Sequence, residues 1–243
     1  MIPDRPLAQV GVLVTRPAAQ SAGLVARLQD QGADVVHFPG LAILPTSRPD
    51  ALKAVLAGLG GYDLAIFISP SAAEWGLAEA GPWPAGLPVA AVGQGTARAL
   101  AARGISPALV PETGADSEHL LALPQLADVA GRRILILRGE GGREQLAESL
   151  RGRGAQVDYA ECYRRGRPET DPAPLLDALA SGRIDALTAF SGETLDNLLA
   201  LLGPACPSGV FALPLFVPHA RIAEHAGRLG FRAIQVTDPG ESG

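Results

Sequence analysis

Two serines end two apolar runs in the same way. Asp63 opens the run L-A-I-F-I, which stops at Ser69 and is followed by Pro70; Asp185 opens A-L-T-A-F, which stops at Ser191 and is followed by Gly192. A hydroxyl between a buried strand and a helical pattern either caps the helix or joins the free N–H groups there in holding an anion. Other loops of this kind carry further candidates. V-G-Q-G-T-A brings Thr96 to a helix start, L-V-T-R-P and L-I-L-R-G put Arg16 and Arg138 at strand ends, and R-G-E-G-G-R lets Gly139 bring backbone close to a ligand. Tyr163, in E-C-Y-R-R, follows another strand and has two readings: an aromatic ring packed under a linker, or a hydroxyl at the mouth of a cleft, able to donate a proton.

Other chemistries find little support in the residue types. His37, His119, His219 and His225 form no H-E-x-x-H or comparable spacing, and Cys162 and Cys206 stand alone, so no metal site is expected. G-x-S-x-G is absent. The segment V-G-Q-G-T-A-R begins like a dinucleotide fingerprint but has Arg98 where the third glycine belongs, and R-G-E-G-G-R lacks the G-K-[ST] ending of a phosphate loop. A net charge of −5 argues against a nucleic-acid binder, whose Lys/Arg surface would neutralise phosphates. The apolar runs are too short for a membrane span or a secretory leader, and a cytoplasmic location is expected.

These candidates need elements to position them. With 243 residues, 47% of them hydrophobic, the chain can bury a large core in one domain or two. Apolar runs of strand length at 10–15, 34–38, 63–68, 88–92, 107–110, 133–137, 156–160, 184–190, 214–217 and 232–236 alternate with helical patterns, which predicts an α/β protein with mostly parallel sheets. The pattern repeats at a fixed interval. Arg16 and Arg138, Asp63 and Asp185, Ser69 and Ser191 are each 122 residues apart, as are Gly32-Ala33 and Gly154-Ala155. Such a period predicts an internal duplication of one α/β unit. The Pro- and Arg-bearing stretches 39–45 and 161–167 interrupt the alternation and read as linkers. If they pair, residues 46–160 form an inserted domain, and 1–38 with 168–243 form a discontinuous one, so that Ser69 and Ser191 would face each other across a cleft.

In order and spacing these segments resemble the uroporphyrinogen-III synthase family, over nearly the whole chain: L-V-T-R-P, F-I-S-P-S-A, V-G-Q-G-T-A, S-E-H-L-L-A-L, L-R-G, C-Y-R-R and D-A-L-T-A-F-S. The loop V-P-H-A-R at 217–221 departs from the commoner V-G-x-x-T-A form, so no threonine role carries over to it. The resemblance implies two flavodoxin-like parallel-sheet domains joined by a two-stranded linker. It also implies a monomeric enzyme without cofactor that closes a linear tetrapyrrole, with loss of water and inversion of its last ring. It casts Tyr163 as the acid for the leaving hydroxyl, with Ser69, Thr96, Ser191 and nearby backbone amides holding substrate. Gly139, from its glycine-rich loop, and Arg16 and Arg138, from their matching strand ends, are further substrate-binding candidates, the two arginines set against a reading as surface ion pairs. A competing expectation from the two-lobed organisation is a cytosolic anion-binding regulator that performs no chemistry. A third is a nucleotide-dependent enzyme built on V-G-Q-G-T.

Overall fold

The computed structural model describes residues 5–237. In chain order its elements are β1 (Gly11–Val14), α1 (Ala18–Asp30), β2 (Asp34–His37), β3 (Ala42–Pro45), α2 (Pro49–Ala57), β4 (Leu64–Phe67), α3 (Pro70–Ala80), β5 (Val89–Ala91), α4 (Gln94–Ala101) and α5 (Ser117–Leu121). They continue with β6 (Arg133–Gly139), α6 (Gln145–Gly152), β7 (Gln156–Gly166), α7 (Ala173–Ala180), β8 (Ala186–Thr188), α8 (Gly192–Leu202), β9 (Leu215–Val217), α9 (Ala220–Leu229) and β10 (Ile234–Val236). The chain divides into two compact units, a terminal one of Met1–Ala42 with Gly166–Gly243 and a central one of Ile43–Arg165.

The terminal unit is built on a sheet of order β10-β9-β8-β1-β2. Its ladders are parallel, with Gly11 opposite Asp34, Val12 opposite Ala186, and Leu187 opposite Leu215. Gly11 starts β1 because nothing larger fits: a β-carbon there would stand 1.6 Å from the Arg183 carbonyl oxygen. Its N–H donates to the Asp185 carboxylate at 2.7 Å. Leu13, Leu187, Leu215 and Val217 pack with Leu195 and Leu198 of α8 and Ile222 of α9, while Val12 and Val14 meet Leu24 and Leu28 of α1.

The central unit's sheet has the order β3-β7-β6-β4-β5. Leu64, Ala65, Ile66 and Phe67 are all fully buried, as expected of a parallel strand covered on both faces, where the apolar run is continuous rather than alternating. Here the Arg133 N–H donates to Asp63 at 2.8 Å, the counterpart of the Gly11–Asp185 bond. Alternate residues feed two cores, one around Phe67, Leu137 and Cys162, the other around Ile66, Ile136 and Leu120.

The stretches 39–45 and 161–167, read as linkers that could pair, contain the edge strand β3 and the end of β7, which are neighbours in the central sheet. One segment differs from the sequence reading. The expected strand at 107–110 is reduced to a single parallel bridge between Ala90 and Leu109. Pro107 and Pro111 flank that bridge and have no N–H with which to lengthen a ladder.

Candidate active site

Ligands of parallel α/β sheets bind beyond the carboxyl ends of the strands, and in the central unit that rim is organised around Ser69 and Tyr163. Ser69 has extended backbone (φ −162°, ψ 159°) and is the N-cap of α3, its Oγ accepting the Ala72 N–H at 3.0 Å. Pro70 fits the first helical position, where no N–H is needed. The Tyr163 hydroxyl lies 3.1 Å from the same Oγ, hydrogen-bonded to it.

Tyr163 owes this position to an irregularity between two strands. The β6–β7 register runs Leu137 to Ala160 and Arg138 to Glu161, then shifts so that Gly139 lies opposite Tyr163. A bulge of this kind re-aims a side chain, and the ring turns onto Gly139. A β-carbon on Gly139 would come within 2.7 Å of ring atoms Cε2 and Cζ. Tyr163 is only 4% exposed and packs in the core cluster of Phe67, Leu137 and Cys162. Neither sequence reading of Tyr163 described this arrangement: the ring is core, and its hydroxyl reaches the start of α3. Burial also pushes the neighbouring Cys162 thiol up to about 12, which makes it a packing group rather than a nucleophile.

Thr96 sits in the first turn of α4 at 2% exposure. Gly93, the N-cap, is overlain by the chain at 114–115, since a β-carbon there would meet Ala115 at 2.7 Å. Arg138 is the largest departure from a solvent-facing ligand. It is 2% exposed, with Nη1 donating to Glu144 at 2.9 Å, Nε to the Gly139 carbonyl at 3.3 Å and Nη2 to the Gly141 carbonyl, while its Cζ stands 4.7 Å from the Tyr159 ring centroid. The Tyr159 hydroxyl, followed by Arg138, holds the Glu144 carboxyl below the usual carboxylate range. Glu140 is held low in the same way by the Ser47 N–H and then the Thr46 hydroxyl.

The terminal unit has a rim of its own. Ser191 caps α8 with nearly the same backbone as Ser69 (φ −155°, ψ 156°), accepting the Thr194 N–H at 3.2 Å. Its Oγ is also 2.8 Å from the Thr194 hydroxyl. Gly40 passes so close that a β-carbon would be 2.7 Å from the Thr194 carbonyl oxygen. Arg16 lies over the Phe190 ring, its Cζ 4.3 Å from the centroid. His219 is the N-cap of α9, exposed and making no side-chain cap bond. Thr194, Glu144 and Tyr159 escaped the sequence reading. A Ser-x-x-Thr spacing at a helix start signals the first, whereas the other two are joined to Arg138 only by the folding of its loop.

Among the described residues no group of three or more His, Cys, Asp or Glu side chains is placed to hold a metal ion, and no helix is long and apolar enough to cross a membrane. Fold and site together define an α/β protein with a sheet of mainly parallel ladders in each of two units, whose helix starts at the carboxyl ends of strands carry capping hydroxyls. The chain belongs to the uroporphyrinogen-III synthase family, whose model, described as uroporphyrinogen-III synthase HemD, matches residues 22–240. It is similar to the uroporphyrinogen-III synthase of Escherichia coli (strain K12), with 34% identity covering 94% of this chain and 95% of that one. With that of Synechococcus elongatus the identity is 32%, covering 82% and 77%. Two solved structures share the fold. Uroporphyrinogen-III synthetase from Helicobacter pylori 26695 has a TM-score of 0.61 at 12% identity, covering 95% of this chain and 94% of that one. A mutant uroporphyrinogen III synthase from the extremely thermophilic bacterium Thermus thermophilus gives 0.54 at 19%, covering 96% and 94%.

Proposed function

We propose that the protein is a uroporphyrinogen-III synthase of heme biosynthesis, a lyase that converts hydroxymethylbilane to uroporphyrinogen III. The observation that carries this reading is the extent of the likeness: one family model spans residues 22–240, and the Escherichia coli enzyme aligns over 94% of the chain.

The reaction asks for positioning more than for a nucleophile. A pyrrole nitrogen of the substrate expels the terminal hydroxyl, which takes up a proton and leaves as water, and an azafulvene remains. The substituted α-carbon of ring D attacks it to give a spiro intermediate. Reopening, reclosure with that ring inverted, and loss of a proton complete the macrocycle. Because the bilane can also close unaided without inversion, the enzyme's work is to hold one wrapped conformer. In this reading the Tyr163 phenol, seated on Ser69, gives the proton to the departing hydroxyl. Substrate carboxylates are met at helix starts, by backbone N–H groups and the hydroxyls of Ser69, Thr96 and Ser191, and by the backbone at Gly139. Arg16 supplies charge, and Arg138 supports the rim from inside.

The finer architecture belongs to the same proposal: two flavodoxin-like domains descended from one duplicated unit, one of 1–38 with 168–243 and the other of 46–160. Three pairs of features support it, each separated by 122 residues: the Gly11 and Arg133 strand starts, the Asp185 and Asp63 carboxylates that receive their N–H groups, and the Ser191 and Ser69 caps of matching backbone angles. The enzyme would act in the cytoplasm as a monomer, without cofactor.

The test is to add purified protein to freshly made hydroxymethylbilane, oxidise the products and resolve the isomers. Accumulation of the inverted isomer is expected. Only the uninverted isomer, formed at the uncatalysed rate, would overturn the proposal.

A further inference from the structure

Arg138 is the penultimate residue of β6, where a substrate ligand would be expected, yet its guanidinium is buried away from solvent. Three of its nitrogens donate within the 139–144 turn, to the Glu144 carboxylate and the carbonyls of Gly139 and Gly141. The turn is shaped around it. Gly142 has φ +103°, and a β-carbon there would stand 2.8 Å from Nη2. Glu144 is fastened in turn, since its second oxygen accepts the Tyr159 hydroxyl and the Tyr159 ring lies beside the guanidinium. A planar group with donors fixed in a fork can meet all these acceptors at once and still lie against an aromatic ring; an ammonium cannot.

The other side of the same turn holds Tyr163. The Glu140 N–H donates to the Tyr163 carbonyl at 2.7 Å, and Gly139 presents its bare α-carbon to the ring. The Glu140 carboxylate ties the turn to Thr46 and Ser47. The turn therefore lies between Arg138 and Tyr163, and Tyr163 in turn meets Ser69.

We infer that Arg138 is a positioning residue, holding the 139–144 turn so that the Tyr163 phenol is fixed beside Ser69, and that it binds no substrate carboxylate. A carboxylate could reach the guanidinium only by displacing Glu144 and opening the turn. The inference rests on the proposed role of Tyr163 in the synthase reaction.

A double-mutant cycle of Arg138→Met and Tyr163→Phe tests it, with folding checked by near-ultraviolet dichroism. The wild-type protein is assayed first for the inverted isomer, and its failure there would count against the functional reading rather than this one. Arg138→Met is expected to lower kcat about 100-fold, the order of effect of an ångström-scale misplacement, with KM changed by less than about threefold, because uniform binding is untouched. In the Tyr163→Phe background the same change should cost less than about threefold more, since both act through one phenol. Equal losses in the two backgrounds, or a raised KM with kcat unchanged, would overturn the inference. If Arg138→Met does not fold, Gly142→Ala, which both crowds the guanidinium and strains the left-handed backbone of the turn that Arg138 holds, takes its place in the cycle with the same outcomes.

Discussion

Replacing Gly139 by alanine adds one methyl group at the point where β6 meets the Tyr163 ring. The new carbon would stand 2.7 Å from Cε2 and Cζ and 3.2 Å from Cδ2, whereas carbon atoms in contact prefer about 3.5–4.0 Å. The deficit is therefore about 1 Å, and neither partner is a flexible chain end. Gly139 does not have a positive φ, so alanine brings no backbone strain and the steric effect stands alone. Relief comes from tipping the ring, which carries its hydroxyl off the 3.1 Å contact with Ser69, or from parting β6 and β7. Overpacking of this kind costs about 1–3 kcal/mol, a fall in Tm of roughly 2–12 °C for a chain of this size. A phenol displaced by about 1 Å should lose on the order of 100-fold in kcat. Steady-state kinetics with isomers resolved, beside a thermal melt, read both effects. Gly152→Ala is the control: that helical glycine has open space around it and should gain up to about 1 kcal/mol. If Gly139→Ala keeps kcat within twofold and melts with the wild type while Gly152→Ala behaves as expected, the placement of Tyr163 against Gly139 is not what governs turnover.

Tyr163→Phe should lower kcat by about 10²–10⁴, the range for loss of a general acid, with little change in KM; steady-state kinetics showing an unchanged kcat in the folded variant would remove Tyr163 from that role. Ser69→Ala and Ser191→Ala each delete an N-cap and should cost about 1 kcal/mol in denaturant unfolding; no loss at either position would mean that solvent caps these helices as well as the serine does. Burial raises the Cys162 thiol from an ordinary 9.0 to about 12, so between those values the unfolded chain gives up a proton that the folded chain keeps. Stability is thus fully present below pH 9 and falls as pH rises toward 12, by up to about 1.4 kcal/mol per pH unit. Urea midpoints at pH 8 and pH 10.5 should show that slope diminished in Cys162→Ala, and an equal slope in both proteins would assign the alkaline loss to other groups.

The strands were readable because parallel strands buried on both faces need unbroken apolar runs, and D-L-A-I-F and D-A-L-T supply them with an acidic residue to receive the neighbouring strand's first N–H. Ser69 and Ser191 were readable as helix starts for a similarly local reason, since each needs only its own i+3 N–H. The apolar pattern alone did not show β3, which entered only as one of two linkers that could pair, because Gly40 and Pro45 punctuate it and its partner β7 lies more than 100 residues away in sequence. A strand at 107–110 looked convincing by composition and failed because prolines bracket it.

The site was less legible than the fold because its geometry depends on relations that no single segment contains. Tyr163 faces Gly139 only through a register shift between two strands, and Arg138 turns inward only because a turn with two glycines at positive φ brings Glu144 back onto it. Sequence pattern identified both residue types and put both at strand ends, but an arginine at a strand end reads the same whether it faces solvent or its own loop. What decides between them is partner supply. Glu144, Tyr159 and two carbonyls satisfy the guanidinium within the central unit, which removes the electrostatic reason for it to seek a substrate carboxylate. On the proposed function, a protein of net charge −5 would bind an anionic tetrapyrrole through backbone N–H dipoles and hydroxyls fixed at helix starts, with Arg16 beside them, because their local field does not depend on the global charge.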